Sequence, residues 1–165
     1  MSALAKKILI SALCLTVMAC GFHLRGQATL PFDTLYVSPA NDATFATELK
    51  RAVLAGTNAR LSDNPKDAEA IFQLESESRE RRILAINTGG TVAEYELRLY
   101  VTFRVYNSKG QNWIAPTILT LKRNVSYNDA QVLAKDYEEA QLYRDMQSDA
   151  VLQVLQRMSG ARAPI

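Results

Sequence analysis

Few side chains in this sequence are of types that perform covalent chemistry. Its 165 residues include two cysteines, Cys14 and Cys20, and one histidine, His23. His23 lies three residues past Cys20, in a segment with no neighbouring pattern to hold a site in place, so Ser-His-Asp and Cys-His arrangements lack a positioned base. Gly89-Gly90 falls between two alternating runs and does not open a helix, so it is not a phosphate loop. Glu138 and Glu139 are adjacent on a helical pattern and diverge, unlike a general acid/base pair. These absences argue against an enzyme. What remains is a set of cations able to hold an anion. Arg79, Arg81 and Arg82 cluster in R-E-R-R, and Lys135 stands beside Asp136 in a polar stretch with no clear intrahelical partner. Clustered arginines on one sheet face suit phosphate. Plainer readings are cross-strand pairing of the arginines with Glu94 and Glu96, and a lysine that is only solvated.

Cys20 carries a different chemistry. Lys6 and Lys7 precede an apolar stretch from Ile8 to Met18, followed by Ala19 and Cys20. This is the layout of a secretory signal. Eleven positions are too few for a membrane-crossing helix, which needs about 20 residues. The run Val17-Met18-Ala19-Cys20 resembles the lipobox of bacterial lipoproteins. That resemblance implies cleavage before Cys20 and acylation of its thiol and new amino group. One acyl chain gives only marginal membrane binding, whereas two or more anchor stably. Gly21 in the second mature position, where an Asp is absent, is similar to cargo sent on to the outer membrane.

The expected mature chain is Cys20 to Ile165. Losing Lys6 and Lys7 leaves 17 basic against 17 acidic side chains, so a global basic field for nucleic acid is absent. An anionic ligand would need a local arrangement of Lys and Arg. With Cys14 removed and Cys20 acylated, no disulfide can form, and the domain must stand on packing alone.

The elements that would position these residues follow from periodicity. Thr34 to Ser38 reads as a strand, closed by Pro39. Asn41 or Asp42 can cap a helix to about Ala55, with Phe45, Leu49, Ala52 and Val53 on one face and Gly56 as a stop. Leu61 to Lys66 reads as a loop. Three long strands follow. In the first, Phe72, Leu74, Ser76, Ser78, Leu84 and Ile86 share one parity, and Glu75, Glu77, Arg79 and Arg81 the other. In the second, Tyr95, Leu97, Leu99, Val101, Phe103 and Val105 face inward, and Glu94, Glu96, Arg98 and Arg104 face water. In the third, Trp113, Leu119, Leu121, Val125 and Tyr127 face inward, and Pro116 marks an edge or a bulge. Turn residues at 87–90 and 107–110 make the three an antiparallel meander. Asp129 to Asp136 reads as a short segment, irregular or helical. A last helix, about Tyr137 to Met158, carries the stripe Leu142, Met146, Ala150, Val151, Val154, Leu155 and Met158. The predicted fold is an α+β two-layer sandwich in βαβββα order, with two helices on one face of a four-stranded sheet. The expected organisation is a signal at 1–19, a lipidated tether at 20–32, one domain at 33–160 and a tail at 161–165.

Several separated stretches resemble one family. Cys20-Gly21-Phe22-His23-Leu24-Arg25 looks like the mature start of the lipopolysaccharide-assembly lipoprotein LptE family. Ala93-Glu94-Tyr95-Glu96-Leu97 resembles its strand opening after a Gly-containing hairpin. Leu133-Ala134-Lys135-Asp136 with Glu138, then Met146 and Arg157-Met158, resembles its C-terminal helix. The resemblance implies an outer-membrane lipoprotein that plugs the large lipopolysaccharide-transport β-barrel, assists its assembly and helps deliver lipopolysaccharide to the outer leaflet. The implied partners are that barrel, lipopolysaccharide and the membrane through the lipid on Cys20, with no nucleic acid and no further cofactor. The alternative is a structural accessory lipoprotein of another outer-membrane assembly machine. Lipopolysaccharide contact in the family maps onto Lys135. A second, basic contact at the central hairpin has no counterpart in Ile86 to Thr91, which leaves Arg81 and Arg82 on the preceding strand as candidate substitutes.

Overall fold

The structure, a computed structural model, describes residues 28–39, 43–128 and 132–164. Strand β1 is Thr34–Val37, helix α1 Ala43–Gly56, β2 Arg60–Leu61, β3 Ala70–Ile86, β4 Val92–Tyr106, β5 Asn112–Ser126 and helix α2 Val132–Ser159. The sheet order is β2-β1-β3-β4-β5. β1 pairs in parallel with β2 and β3, while β3, β4 and β5 form the expected antiparallel meander. The class and the two helices agree with the sequence reading, but the sheet is mixed and has five strands. The extra strand, β2, is two residues long, too short for an alternating pattern to register.

The core lies between the sheet and the two helices. Leu97, Leu99, Val101, Phe103 and Val105 of β4 are fully buried, as their period of two requires. Complete burial of such side chains stabilises by roughly 1.5–3 kcal/mol each. Phe45, Leu49 and Val53 of α1, at four-residue spacing, cover the sheet where Phe72 stacks between Phe45 and Phe103, at centroid distances of 6.2 and 5.7 Å. From α2 come Met146, Ala150, Val151, Val154, Leu155 and Met158, as read from sequence; Tyr143 and Gln147 are buried in addition, and Leu142 is only partly buried.

Two boundaries move. Leu30 and Phe32, placed in the tether by sequence, are core residues. The Leu30 N–H donates to Asn58 Oδ1 at 2.7 Å, and Phe32 meets Trp113 edge-on at 5.4 Å. Helix α2 also begins at Val132, so of the two readings of the segment up to Asp136 the helical one holds from that point, and Lys135 is not in a loop. Leu133, Ala134 and Lys135 are strong helix formers, which favours the extra turn.

Both hairpins use one device. Asn87 and Asn107 accept, through Oδ1, from backbone N–H groups two and four residues on. Gly90 and Gly110 then supply the positive φ, 82° and 79°, that closes each turn. β5 is an edge strand, and its register shifts between the pairs Phe103–Thr117 and Val105–Ile114, on either side of Pro116. Pro116 is thus both at an edge and in a bulge.

Candidate functional site at the hairpin end

The site is built by a phase change in β3. Leu74 pairs with Phe103 on the helix-covered face, but the register shifts before Ser76, which pairs with Thr102. Glu75 is the extra residue of a bulge, and a bulge inverts the alternation beyond it. Glu77, Arg79 and Arg81 therefore oppose Val101, Leu99 and Leu97 on the helix side. Ser76, Ser78, Glu80 and Arg82 lie on the open face. This corrects the sequence reading, which carried one parity through the strand and sent Arg79 and Arg81 to the open face. A second shift between Ile83 and Ala85 displaces Leu84. Leu84 and Ile86, expected inward, are 48% and 60% exposed.

Arg81 extends beneath the start of α2. Its guanidinium donates to Glu139 at 3.0 Å and lies 4.8 Å above the Tyr95 ring. The hydrogen bond from Arg81 to Glu139 raises its already high pKa, so it stays charged. Arg79 lies 5.1 Å over Tyr143 and reaches Glu77 and Gln147, each at 3.4 Å. The Tyr143 hydroxyl donates to the Glu80 carbonyl at 2.9 Å, and burial raises its pKa. Arg79, Arg81, Asp136, Glu139 and Tyr143 border one open cleft. Two cations and two carboxylates nearly balance there, so the cleft itself has no surplus charge.

Lys135 stands at the same end, but not as a partnerless loop residue. It lies in the first turn of α2, its side chain 16% exposed, with Nζ 2.7 Å from Glu138 Oε2 and 3.3 Å from Ser126 Oγ. The i,i+3 spacing that joins Lys135 to Glu138 follows from the earlier helix start. Lys135 and Arg81 thus share one side of the sheet, joined by consecutive glutamates. Arg82 is on the other side, exposed, opposite Glu96 in the ladder. Among the described residues it has no ion pair within 4.0 Å, and its charge acts on Glu96 at longer range.

The open face of the sheet is a charge-paired surface. Arg98 bonds Glu96 and, at 3.4 Å, the Tyr100 hydroxyl, which donates to Glu80 at 2.9 Å. The Arg98 hydrogen bond holds the Glu96 carboxyl below the usual carboxylate range. The Tyr100 and Glu96 bonds raise Arg98 in turn. Arg104 pairs with Gln73 and Glu75. Pairing within β4, of Arg98 with Glu96, and across strands, of Arg104 with Gln73, accounts for these charges without a ligand.

Sequence reasoning missed the apolar part of the site. Ile83, Leu84 and Ile86 of β3 and Leu133 and Tyr137 of α2 are all exposed, Leu133 by 87%. Ile83, Leu84 and Ile86 lie at the hairpin end of β3, and Leu133 and Tyr137 in the first turns of α2. The signal was available in Ile83-Leu84, two adjacent apolar residues that no single strand face can bury together. Cys20 and His23 lie outside the described residues. Among the described residues no helix is long and apolar enough to cross a membrane.

Comparison with known proteins agrees with this architecture. The solution structure of uncharacterized lipoprotein B from Nitrosomonas europaea is similar, with a TM-score of 0.72 and 37% identity over 84% of this chain and 90% of that one. The crystal structure of the rare lipoprotein B from Shewanella oneidensis follows at 0.69 and 26%, over 78% and 95%. An LPS-assembly lipoprotein LptE from Pectobacterium atrosepticum is 28% identical over 87% of this chain and 79% of its own length. One from Photorhabdus laumondii is 22% identical over 92% and 83%. Residues 32–158 match the family described as Lipopolysaccharide-assembly, LptE, and the chain belongs to that non-enzymatic family.

Proposed function

We propose that this chain is an outer-membrane lipoprotein, acylated on Cys20, that plugs the lipopolysaccharide-transport β-barrel and contacts lipopolysaccharide at its hairpin end. Family membership supports the role in lipopolysaccharide assembly. The contact is carried by one observation: exposed Ile83, Leu84 and Ile86 follow Arg81 and Arg82 along β3, and exposed Leu133 and Tyr137 flank Lys135 in the first turns of α2. A lipid that bears both phosphates and acyl chains needs that pairing of chemistries. Phosphate takes charge-assisted hydrogen bonds, and chain methylenes take apolar surface. Arg82 is the leading cation, because Arg81 and Lys135 are already committed to Glu139 and Glu138. The charge-paired open face suits a barrel lumen, which is polar and wet.

Purification through a tag after Ile165 from detergent-extracted outer membranes tests the role. The large barrel and lipopolysaccharide should both be recovered. Recovery of a different envelope machine, with neither of these, would favour the accessory-lipoprotein reading.

A further inference from the structure

β5 ends the sheet, and among the described residues no strand lies beyond it. The opposite edge is β2, two residues long, and so short an edge offers little to pair with. β5 has 15 residues. Its first half is spoiled as a template by Pro116 and the register shift around it. From Thr117 to Ser126, however, every residue pairs one to one with β4, from Phe103 back to Glu94, without a shift. This half is a regular strand with a free side.

One hydrogen bond fixes which backbone groups face outward. The Tyr127 N–H donates to the Ala93 carbonyl at 2.9 Å. These two residues oppose each other in the register that pairs Glu94 with Ser126. In an antiparallel ladder, opposed pairs alternate between exchanging hydrogen bonds and not. The odd-numbered residues from Thr117 to Val125 therefore bond β4. The N–H and carbonyl groups of Ile118, Thr120, Lys122, Asn124 and Ser126 point away from the sheet. Their five side chains are exposed on the open face, whereas Leu119, Leu121 and Val125 are buried. Arg123 Nη1 reaches the Lys122 carbonyl at 2.9 Å and screens that one acceptor.

We propose that Ile118–Ser126 is a docking edge for an extended acidic segment of a partner protein, which joins the sheet beside β5. Main-chain hydrogen bonds hold the added strand, and side chains on the open face select it. The charge of the edge decides the partner's chemistry. β5 carries Lys122 and Arg123 and no carboxylate. Arg123 is paired with Asp149, whereas Glu96, 4.0 Å from Lys122 Nζ, is already taken by Arg98. The Lys122 side chain is 53% exposed and meets a carboxylate placed across the edge. Exposed Ile118, four residues back on the same face, adds apolar contact. A second copy fits poorly. The symmetric antiparallel register that uses the whole run sets Lys122 against Lys122, and like charges directly opposite are destabilising. The proposal is independent of the lipopolysaccharide contact at the hairpin end.

Amide hydrogen exchange of the full chain in detergent tests the proposal, with the acetylated and amidated peptide E-T-V-T-V-E-V-T-V-T-E as the probe. The peptide reads the same both ways, so either strand direction can set its central glutamate against Lys122. Without peptide, the N–H groups of Ile118, Thr120, Lys122 and Asn124 should exchange fast, and those of Leu119, Leu121 and Arg123 slowly. Saturating peptide should slow the first set at least about tenfold and leave the second unchanged. Failure to bind, or binding that leaves the first set fast, would overturn the docking edge. Protection without peptide that rises with protein concentration would also overturn it, making a second copy the occupant. Lys122→Glu changes an exposed side chain and leaves the ladder intact. That variant should prefer the peptide with a central lysine at least about threefold, reversing the wild-type order. The same order of preference in both proteins would overturn the choice of an acidic partner.

Discussion

Arg81 donates to Glu139 across 3.0 Å, joining the bulged half of β3 to the first turns of α2. Its neighbour Arg82 makes no ion pair among the described residues and lies on the opposite face. Adjacent arginines of the same sequence cluster thus have different duties, and one bulge at Glu75 decides which is which. Arg81→Ala should lower stability by about 0.5–1 kcal/mol, through its contacts with Glu139 and the Tyr95 ring. Arg82→Ala should stay within about 0.5 kcal/mol of wild type. Denaturant unfolding of both variants checks this, and equal losses would contradict the phase change.

The inner face of β4 predicts a sharper contrast. Leu99→Asp places a charge at a fully buried position and should cost more than about 4 kcal/mol, the range reserved for uncompensated burial. Arg98→Asp, one residue away on the open face, should cost only a small fraction of that. Thermal unfolding of the pair measures the difference.

The Tyr143 hydroxyl ties α2 to the β3 backbone at Glu80. Tyr143→Phe removes one hydrogen bond and should destabilise by about 1 kcal/mol, with the ring packing retained. The Arg79 contact with that ring should survive, so a much larger loss would mean that the helix had shifted.

Acid should weaken the fold through Glu96. Arg98 depresses the folded-state pKa of this carboxylate, so its stabilisation is present above the unfolded-state value. It is lost as pH falls through the lower folded value. Glu96→Gln should therefore flatten the acid limb of a stability–pH curve, and high salt should shrink the difference. Identical acid limbs for wild type and variant would show that the pairing contributes nothing.

Much of this was legible from residue types. The unbroken alternation of β4 and the stripe of α2 name their buried residues directly, because a period of 2.0 or 3.6 fixes which side chains share a face. β3 was not legible in the same way. Its bulge after Leu74 inserts one residue without a Gly or Pro to mark it, and so reverses the faces of Arg79 and Arg81. Lys135 was misplaced for a related reason. Its partner, Glu138, counts as a partner only if the helix already includes Lys135. The alternation of Leu30 and Phe32 was visible, but a short run following Gly26 reads as a linker unless its pairing with Thr57 and Asn58 is known.

The anchor has its own check. Mass spectrometry of the mature protein should find Cys20 as the N-terminal residue with a lipid-sized increment on its peptide. An unmodified terminus elsewhere would remove the lipoprotein part of the account.

The most direct measurement of the central claim is lipopolysaccharide affinity at matched ionic strength for wild type, Arg82→Asp, Lys135→Asp and Leu84→Asp/Ile86→Asp. Charge-assisted contacts are worth roughly 1.5–3 kcal/mol, so Arg82→Asp should weaken binding by about tenfold or more. Lys135→Asp should weaken it less, because Glu138 already holds that ammonium. The double apolar variant should also bind more weakly, with stability nearly unchanged, since both side chains are exposed. Wild-type affinity in all three variants would contradict a lipopolysaccharide contact at the hairpin end.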